Sequence, residues 1–390
     1  MILFLGFCTI FSYLALTLAA LGSCYQLLAA YAVQRFSGQR PQKPHERPPV
    51  TLLKPLCGDE AGLYQNLRSF CELDYPNLQI VCGVRDPNDA AVPVVRALQK
   101  DMPHIDLVLV SNPSVYGTNY KVSNLINIMA AAKHDVLVLS DSDMRVGPTY
   151  LDAVIDTLQR PGVGLATCLY VGRPVKGFWS ALGAAGINYW FLPSALVSKL
   201  LGGKTGCYGA TIALRRQALE TIGGFAALKD QLADDYAMGA GIERTGQAVA
   251  VVPYLPLTVV DEPDSGALFR HELRWARTIR NTAPAGYAGS VITYPVPLAL
   301  IGMALGLIAG LPLQMLMTVF VLAVLCRAML VTRVAHALAA PKPRWWLFLP
   351  RDVLSLVILV LAFCGRSVSW RNSAFRLDSV GALSEETDGI

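Results

Sequence analysis

Charge is scarce in this 390-residue chain: Asp, Glu, Lys and Arg make up 16%, where soluble domains carry about 25%. Met1 to Val33 contains no charged residue, and neither does the stretch 288–326. Hydrophobic residues reach 53%, and their excess lies at the two ends. This excludes an ordinary cytosolic enzyme and a disordered chain. A polytopic carrier is excluded too, because the middle holds nearly all the acidic residues. The nine cysteines form no CxxC pair and are odd in number, which speaks against a zinc site or a disulfide framework. The five histidines show no metal-ligand spacing, and no Ser/His/Asp nucleophile set stands out. No basic stripe interleaves with aromatics, so nucleic acid is not an expected partner.

What is present begins with the apolar ends. Residues 1–33 exceed the ~20 needed to cross a bilayer and are expected to form an uncleaved transmembrane anchor. The basic cluster Arg35, Arg40, Lys43 and Arg47 follows it, which orients the chain with residues 35 onward in the cytoplasm. Residues 34–49 form a Pro-rich linker. Residues 288–334 read as a transmembrane hairpin turning near Gly306, Gly310 and Pro312, and 345–364 as a third membrane segment interrupted by Arg351 and Asp352. The tail 365–390 carries Arg366, Arg371 and Arg376, and its side is left open. Within the middle, Gly177–Gly203 is apolar, aromatic and broken by Pro193. It is expected to lie in the membrane interface, with a buried core helix as the alternative.

Between the ends, 50–285 alternates strand and helix signals. Val50–Pro55, Leu78–Val84, Ile105–Val110 and Val136–Ser140 read as strands, and Leu63–Glu72, Ala91–Lys100 and Lys121–Lys133 as helices. That alternation predicts an α/β domain with a parallel sheet. Ligands gather at the carboxyl ends of such strands, where Asp86-Pro87-Asn88-Asp89 and Asp141-Ser142-Asp143 fall.

Asp141 and Asp143, one residue apart after a buried strand, can hold Mg²⁺ or Mn²⁺ against a diphosphate. Asp86 and Asp89 can bind a nucleobase or ribose, or simply cap a turn. Asp234-Asp235 precedes a helix-like stretch, Ala237–Arg244. One acid serves as a cap, and the other is free to act as general base on an acceptor hydroxyl. Arg270, Arg274 and Arg277 make one basic helical face, suited to lipid headgroups or to a departing diphosphate, with Trp275 beside it. Lys54, Lys121 and Lys204 are further cations whose plain reading is surface charge.

In their order, VTLLKPLCGDEAGLYQNLRSFCELDYPNLQIVCGVRDPNDA (50–90), NYKVSNLINIMAAAKHDVLVLSDSDMRV (119–146), GATIALRRQALETIGGF (209–225), LADDYAMG (232–239) and HELRW (271–275) resemble the inverting family 2-type glycosyltransferases. The closest likeness is to the ceramide glucosyltransferase branch (family 21), together with bacterial hopanoid-biosynthesis glycosyltransferases. The resemblance implies a GT-A, Rossmann-like catalytic domain in an integral membrane protein, here of a bacterial inner membrane with the catalytic domain cytoplasmic. It implies a UDP-sugar donor and a lipid acceptor, a hopanoid polyol or a ceramide, with N-acetylglucosamine or glucose transferred. It places the uridine contact at Asp86 or Asp89, the metal at Asp141 and Asp143, and the base at Asp235. Lys121, Asp141, Arg274 and Trp275 join the nucleotide-sugar contacts, while Asp234, His271 and Trp190 are assigned near the acceptor. His271 departs from the Gln or Arg usual at that position, which weakens a processive polysaccharide synthase. Readings from other classes are a metal-dependent phosphotransferase and a non-catalytic lipid-binding module.

Overall fold

The protein is described by a computed structural model covering residues 1–203 and 206–365, with the backbone of three short strands, Ser367–Trp370, Ser373–Leu377 and Leu383–Glu385. Lys204, Arg366, Arg371 and the Arg376 side chain lie outside the described residues. The chain divides into two compact units. One comprises Met1–Gly38, Gly177–Leu201 and Glu262–Ser369; the other contains Gln39–Lys176 and Gly202–Asp261.

Between residues 50 and 260 the second unit has ten strands: β1 (Val50–Pro55), β2 (Leu78–Val84), β3 (Asp106–Ser111), β4 (Val136–Leu139), β5 (Met144–Arg145), β6 (Val163–Thr167), β7 (Val171–Pro174), β8 (Ile212–Arg215), β9 (Ala248–Val251) and β10 (Leu257–Val260). Seven form a sheet in the order β3-β2-β1-β4-β8-β6-β9, and β5-β10-β7 form a smaller one. The expected all-parallel sheet is corrected here. β1 to β4 are parallel, but β8 runs antiparallel to both β4 and β6. Residues of opposite parity feed separate cores. Val50, Leu52, Ile80, Val136 and Val138 pack on one face, and Leu53, Val81, Leu137 and Leu139 on the other. A sheet covered on both sides needs continuous apolar strands, which is why those runs showed little alternation. The helix expected over 121–133 is Tyr120–Met129. The residues after it leave the helix, where buried Gln79 donates to the Ala131 carbonyl and accepts from the Lys133 amide.

Because β1, β2 and β4 are parallel, their carboxyl ends open on one edge of the sheet. The loops after β2 and β4 are two strand spacings apart there, about 10 Å.

Among the described residues, the first unit contains two helices long and apolar enough to span a membrane, Ile2–Ser37 and Leu313–Ala337. A pair bent by 68°, Pro284–Thr293 and Pro295–Ile308, together reaches the same standard. The turn at Ala309–Pro312 places Gly310 in the left-handed region (φ +74°), whereas Gly306 stays helical. The last apolar run yields a helix of 14 residues, Phe348–Leu361. At 1.5 Å per residue it is about 21 Å long, short of the ~30 Å hydrocarbon layer. Its charges do not pair with each other. Asp352 accepts two hydrogen bonds from Arg327 (2.6 and 3.0 Å), and Arg351 forks onto Glu272. The 177–203 segment splits into Phe178–Gly186, a π-helical turn Ile187–Phe191 and Leu192–Leu200. It packs inside this unit, with residues 180–189 buried, and Arg327 donates to the Tyr189 carbonyl at 2.6 Å.

Removing one partner of a buried ion pair strands the other charge, at a cost of about 3–5 kcal/mol. Asp352→Ala should therefore lower the thermal midpoint in detergent markedly, and the double variant Arg327→Met/Asp352→Leu should recover most of it. A midpoint unchanged in D352A would show that the pair is not needed for stability.

Candidate active site

The Asp141-Ser142-Asp143 turn leaves the end of β4 and is clamped from several directions. Lys54, on β1, carries the parity of Leu52 and points into the protein. It is fully buried, its ammonium lies 3.4 Å from the centre of the Phe70 ring, and it donates to the Ser140 hydroxyl (3.0 Å) and the Asp141 carbonyl (2.8 Å). Burial lowers its pKa to about 7, against the pull of Asp141, Asp143 and Glu60. The surface reading of Lys54 is thus corrected: this lysine supports the acidic turn from beneath. Ser142 donates to Glu60, and the Thr258 hydroxyl, from β10, donates to Asp143 Oδ2 at 2.6 Å.

A second acidic pair meets the first. Asp234 and Asp235 open the helix Asp234–Arg244, whose N-terminus favours negative charge. Lys121, in the first turn of Tyr120–Met129, bridges the pairs: its Nζ is 2.7 Å from Asp141 Oδ1 and 3.8 Å from Asp234 Oδ2. Asp235 Oδ2 accepts from the Gly209 amide (2.9 Å) and Oδ1 from the Tyr236 amide (2.7 Å). A Cβ on Gly209 would sit 3.4 Å from both Asp141 Oδ2 and Asp235 Oδ2 and 3.6 Å from Lys121 Nζ. Glycine here leaves room between the two pairs of acids. Tyr170 feels Asp143, Asp235 and Asp141 together; burial first, then these charges, raise its pKa, so the phenol stays protonated.

Burial and the crowding of like charge both show in the titrations. Burial, then the Asp141 charge, pushes Asp143 up to about 6. Burial and Asp234 push Asp235 up to about 6, against the pull of Lys121. Asp234 is raised as well, chiefly by burial. Burial opposes the Lys121 ammonium, but Asp141, Asp234 and Asp235 outweigh it and hold the pKa above the ordinary lysine range.

The donor set suits a divalent cation. Asp141 and Asp143 each engage one oxygen in a named contact, which leaves a second on each carboxylate. Among the described residues no third His, Cys, Asp or Glu completes a metal cluster. Mg²⁺ and Mn²⁺ are commonly held by one or two carboxylates, with phosphate oxygens and water filling the shell. A cation there would also relieve the repulsion that raises Asp143.

Asp86 and Asp89 occupy the loop after β2. Asp86 is exposed and accepts from the Asn88 amide (2.8 Å), while Asp89 Oδ1 accepts from the Gly58 (2.8 Å) and Ala91 (2.9 Å) amides. Asp89 therefore ties the loop after β1 to the next helix. The HELRW residues belong to the other unit, on the helix Ser265–Thr282. His271 Nδ1 lies 2.7 Å from Glu262 Oε1, and its ring meets Trp275 edge-on at 4.5 Å. Of the basic face, Arg277 donates to the Cys364 carbonyl (2.7 Å). Trp190, on the π-helical turn, donates to the Thr293 hydroxyl (2.7 Å) and stacks on Tyr294. Reading the sequence missed Glu60, Tyr170, Gly209 and Thr258. For Lys54 there was a signal, a lone charge inside an apolar strand.

The same fold carries known glycosyl transfer. A mannosyltransferase from Pyrobaculum calidifontis, solved with GDP-Man and Mn²⁺, matches 91% of this chain and 99% of its own, with a TM-score of 0.51 and 21% identity. That likeness shows the fold, a GT-A type. The chain belongs to Glycosyl transferase family 21, which matches residues 14–383. Ceramide glucosyltransferase 1 of Caenorhabditis elegans is 26% identical over 205 residues, 52% of this chain and 44% of that protein. Ceramide glucosyltransferase 3 of the same organism is 22% identical over 339 residues, 85% of this chain and 73% of that protein. A beta-monoglucosyldiacylglycerol synthase of Trichormus variabilis is 24% identical over 234 residues, 59% and 48% of the two chains. The matches thus span under half of the first relative and about three quarters of the second.

Raised carboxylates give the pH dependence a definite sign. Asp143 and Asp235 gain protons as pH falls through about 6, and a protonated Asp235 cannot accept another. Turnover should fall on the acid side along a limb near pH 6, the limb belonging to the coupled acids jointly. Asp235→Asn should abolish turnover across the whole pH range; a limb that persisted at full height in D235N would assign it elsewhere.

Proposed function

We propose that this chain transfers a sugar from a UDP-sugar to the hydroxyl of a lipid, inverting the anomeric centre. The observation that carries the reading is the meeting of two acidic pairs, Asp141 with Asp143 and Asp234 with Asp235, across Lys121 and the space left by Gly209. Asp235, with its pKa near 6, is ionised at neutral pH yet basic enough to take a hydroxyl proton as the nucleophile forms. The acceptor oxygen attacks the anomeric carbon from the face opposite UDP, the bond to UDP breaks, and the electron pair leaves with the diphosphate. Asp141 and Asp143 would hold Mg²⁺ or Mn²⁺, which when bound offsets the charge on the diphosphate. Lys121 anchors Asp141 and keeps the pocket from being uniformly negative. Asp86 and Asp89 are the candidates for the uridine end. For Arg274 and Trp275, contact with the departing diphosphate is what the family resemblance supports.

A lipid acceptor accounts for the long apolar helices and fits the relatives, named for glucosyl transfer to ceramide or diacylglycerol. A hopanoid polyol receiving N-acetylglucosamine is the acceptor and donor pair favoured by the motif resemblance. Glucosylation of ceramide is the second reading, and the named relatives favour it. The setting in both is a bacterial inner membrane, with the sheet unit in the cytoplasm.

Detergent-purified protein incubated with individual UDP-sugars and a panel of hopanoid polyol, ceramide and diacylglycerol, read by mass spectrometry, tests both substrates at once. A glycolipid should form, and Asp141→Ala and Asp235→Asn should each reduce it at least 100-fold without loss of folded protein. Full turnover in D235N would point instead to phosphoryl transfer, which needs no such base. Donor binding without any product would make the protein a non-catalytic module.

A further inference from the structure

The last helix has an inverted polarity. On Phe348–Leu361 the inward face carries Arg351, Asp352 and Ser355, all buried. The outward face is apolar: Leu349, Val353, Val357 and Val360 are exposed, and Phe363 continues the row just past the helix end. At 100° per residue these five fall within about 120° of one another, a single stripe. No exposed polar residue interrupts it, so its natural partner is lipid rather than water. Lipid can meet such a stripe in two ways, along a span or along a helix lying flat.

Both ends of the helix are fastened to the same neighbour. Near its start, Arg351 forks onto Glu272. At the other end, where carbonyls lack helical partners, two arginines supply them. Arg277 donates to the Cys364 carbonyl (2.7 Å), and Arg280 donates to Ala362 and to Gly365 (3.2 Å). Cations at a helix C-terminus are stabilising. Between these points Leu273 and Ala276 pack in one cluster with Leu354, Ile358, Leu359 and Ala362. Glu272, Arg277 and Arg280 all belong to Ser265–Thr282, so the two helices run side by side in the same direction.

That neighbour is too charged to enter hydrocarbon. Arg270, His271, Glu272, Arg274, Arg277 and Arg280 put six ionisable groups into eleven positions, and each arginine at mid-bilayer costs about 2.5–3.5 kcal/mol on insertion scales. A helix bound to it at both ends shares its depth. Fourteen residues, about 21 Å, also fall short of the ~30 Å layer.

The side follows from the spans. Arg333, near the end of Leu313–Ala337, donates to Gln34 at 3.2 Å, near the end of Ile2–Ser37. Residues 338–347 therefore leave the bilayer on the side that holds Arg35. Arg327, the partner of Asp352, stands six residues before Arg333, about 9 Å along that helix. Amphipathic helices seat about 5–10 Å into the headgroup boundary. Trp345 and Trp346, more than half exposed beside Lys342 and Arg344, are side chains that favour that boundary.

We propose that Phe348–Leu361 does not cross the membrane but lies along its boundary, with the apolar stripe against the acyl chains and Cys364 on the side that holds Arg35. The partner of this surface is the lipid bilayer itself, and through it the helix that carries His271, Arg274 and Trp275 is moored to the membrane.

Two measurements on the full chain test this, and neither needs turnover. In membrane vesicles of known orientation, a membrane-impermeant maleimide is applied to the variant Gly38→Cys, altered at an exposed position after the first helix, and labelled peptides are identified by mass spectrometry. Position 38 and native Cys364, which is exposed, should label in the same vesicle orientation and be protected at least 10-fold in the opposite one. Labelling of the two from opposite sides makes Phe348–Leu361 a span and overturns the proposal. Second, with the exposed Cys24, Cys57 and Cys364 replaced by alanine, nitroxides at Leu349→Cys and Phe363→Cys in reconstituted bilayers report depth through collisions with oxygen and a water-soluble nickel chelate. The two depths should agree within about 10 Å, half the helix length. A larger difference overturns the proposal.

Discussion

The constraint on which the sheet unit turns is the repulsion among four carboxylates gathered at one edge. Left to themselves, Asp141, Asp143, Asp234 and Asp235 would spread apart or protonate; burial first, and then their mutual repulsion, raises the pKa values of Asp143, Asp234 and Asp235. Two lysines set the balance in different ways. Lys121 stands among the carboxylates as a direct counter-ion. Lys54 lies below, bonded to the backbone and the serine that shape the turn. Everything else nearby, from Thr258 to the Gly209 amide, fixes single oxygens in place. The result is a pocket pre-stressed toward cations.

Much of this could be read from the residues alone, for identifiable reasons. Strands β1, β2 and β4 announced themselves because a sheet covered on both faces demands unbroken apolar runs. Asp141 and Asp143 were visible because acids after such a run have few other uses. The antiparallel course of β8 was not visible, since Ile212–Arg215 is four residues long and direction leaves no mark in a pattern that short. Lys54 was misjudged because a charged residue is seldom wholly buried, and only the fold shows the ring and the loop that receive its ammonium. Thr258 and Tyr170 lie far along the chain from the acids they serve, and no local spacing connects them.

In the helical unit the same electrostatic logic operates in reverse. Arg351 and Asp352 are neighbours in sequence, and the simple expectation is that they neutralise one another. Each instead reaches a partner on a different helix: Arg351 meets Glu272 beside His271, and Asp352 meets Arg327. Adjacent residues on a helix point about 100° apart, so a short helix can bind two neighbours through two consecutive charges. Pairing by geometry rather than by adjacency fixes how the HELRW helix sits within its own unit.

That crossed pairing carries a consequence for biogenesis. Glu272 finds its guanidinium 79 residues further along. While the ribosome is still making the hairpin after residue 284, the helix bearing His271, Arg274 and Trp275 has no Arg351 to hold it. Its ion pair must wait for the helix Phe348–Leu361 to emerge. A nascent chain halted before residue 351 would hold Asp141, Asp143, Asp234 and Asp235 and still lack the ion-pair partner of Glu272 on its basic helix.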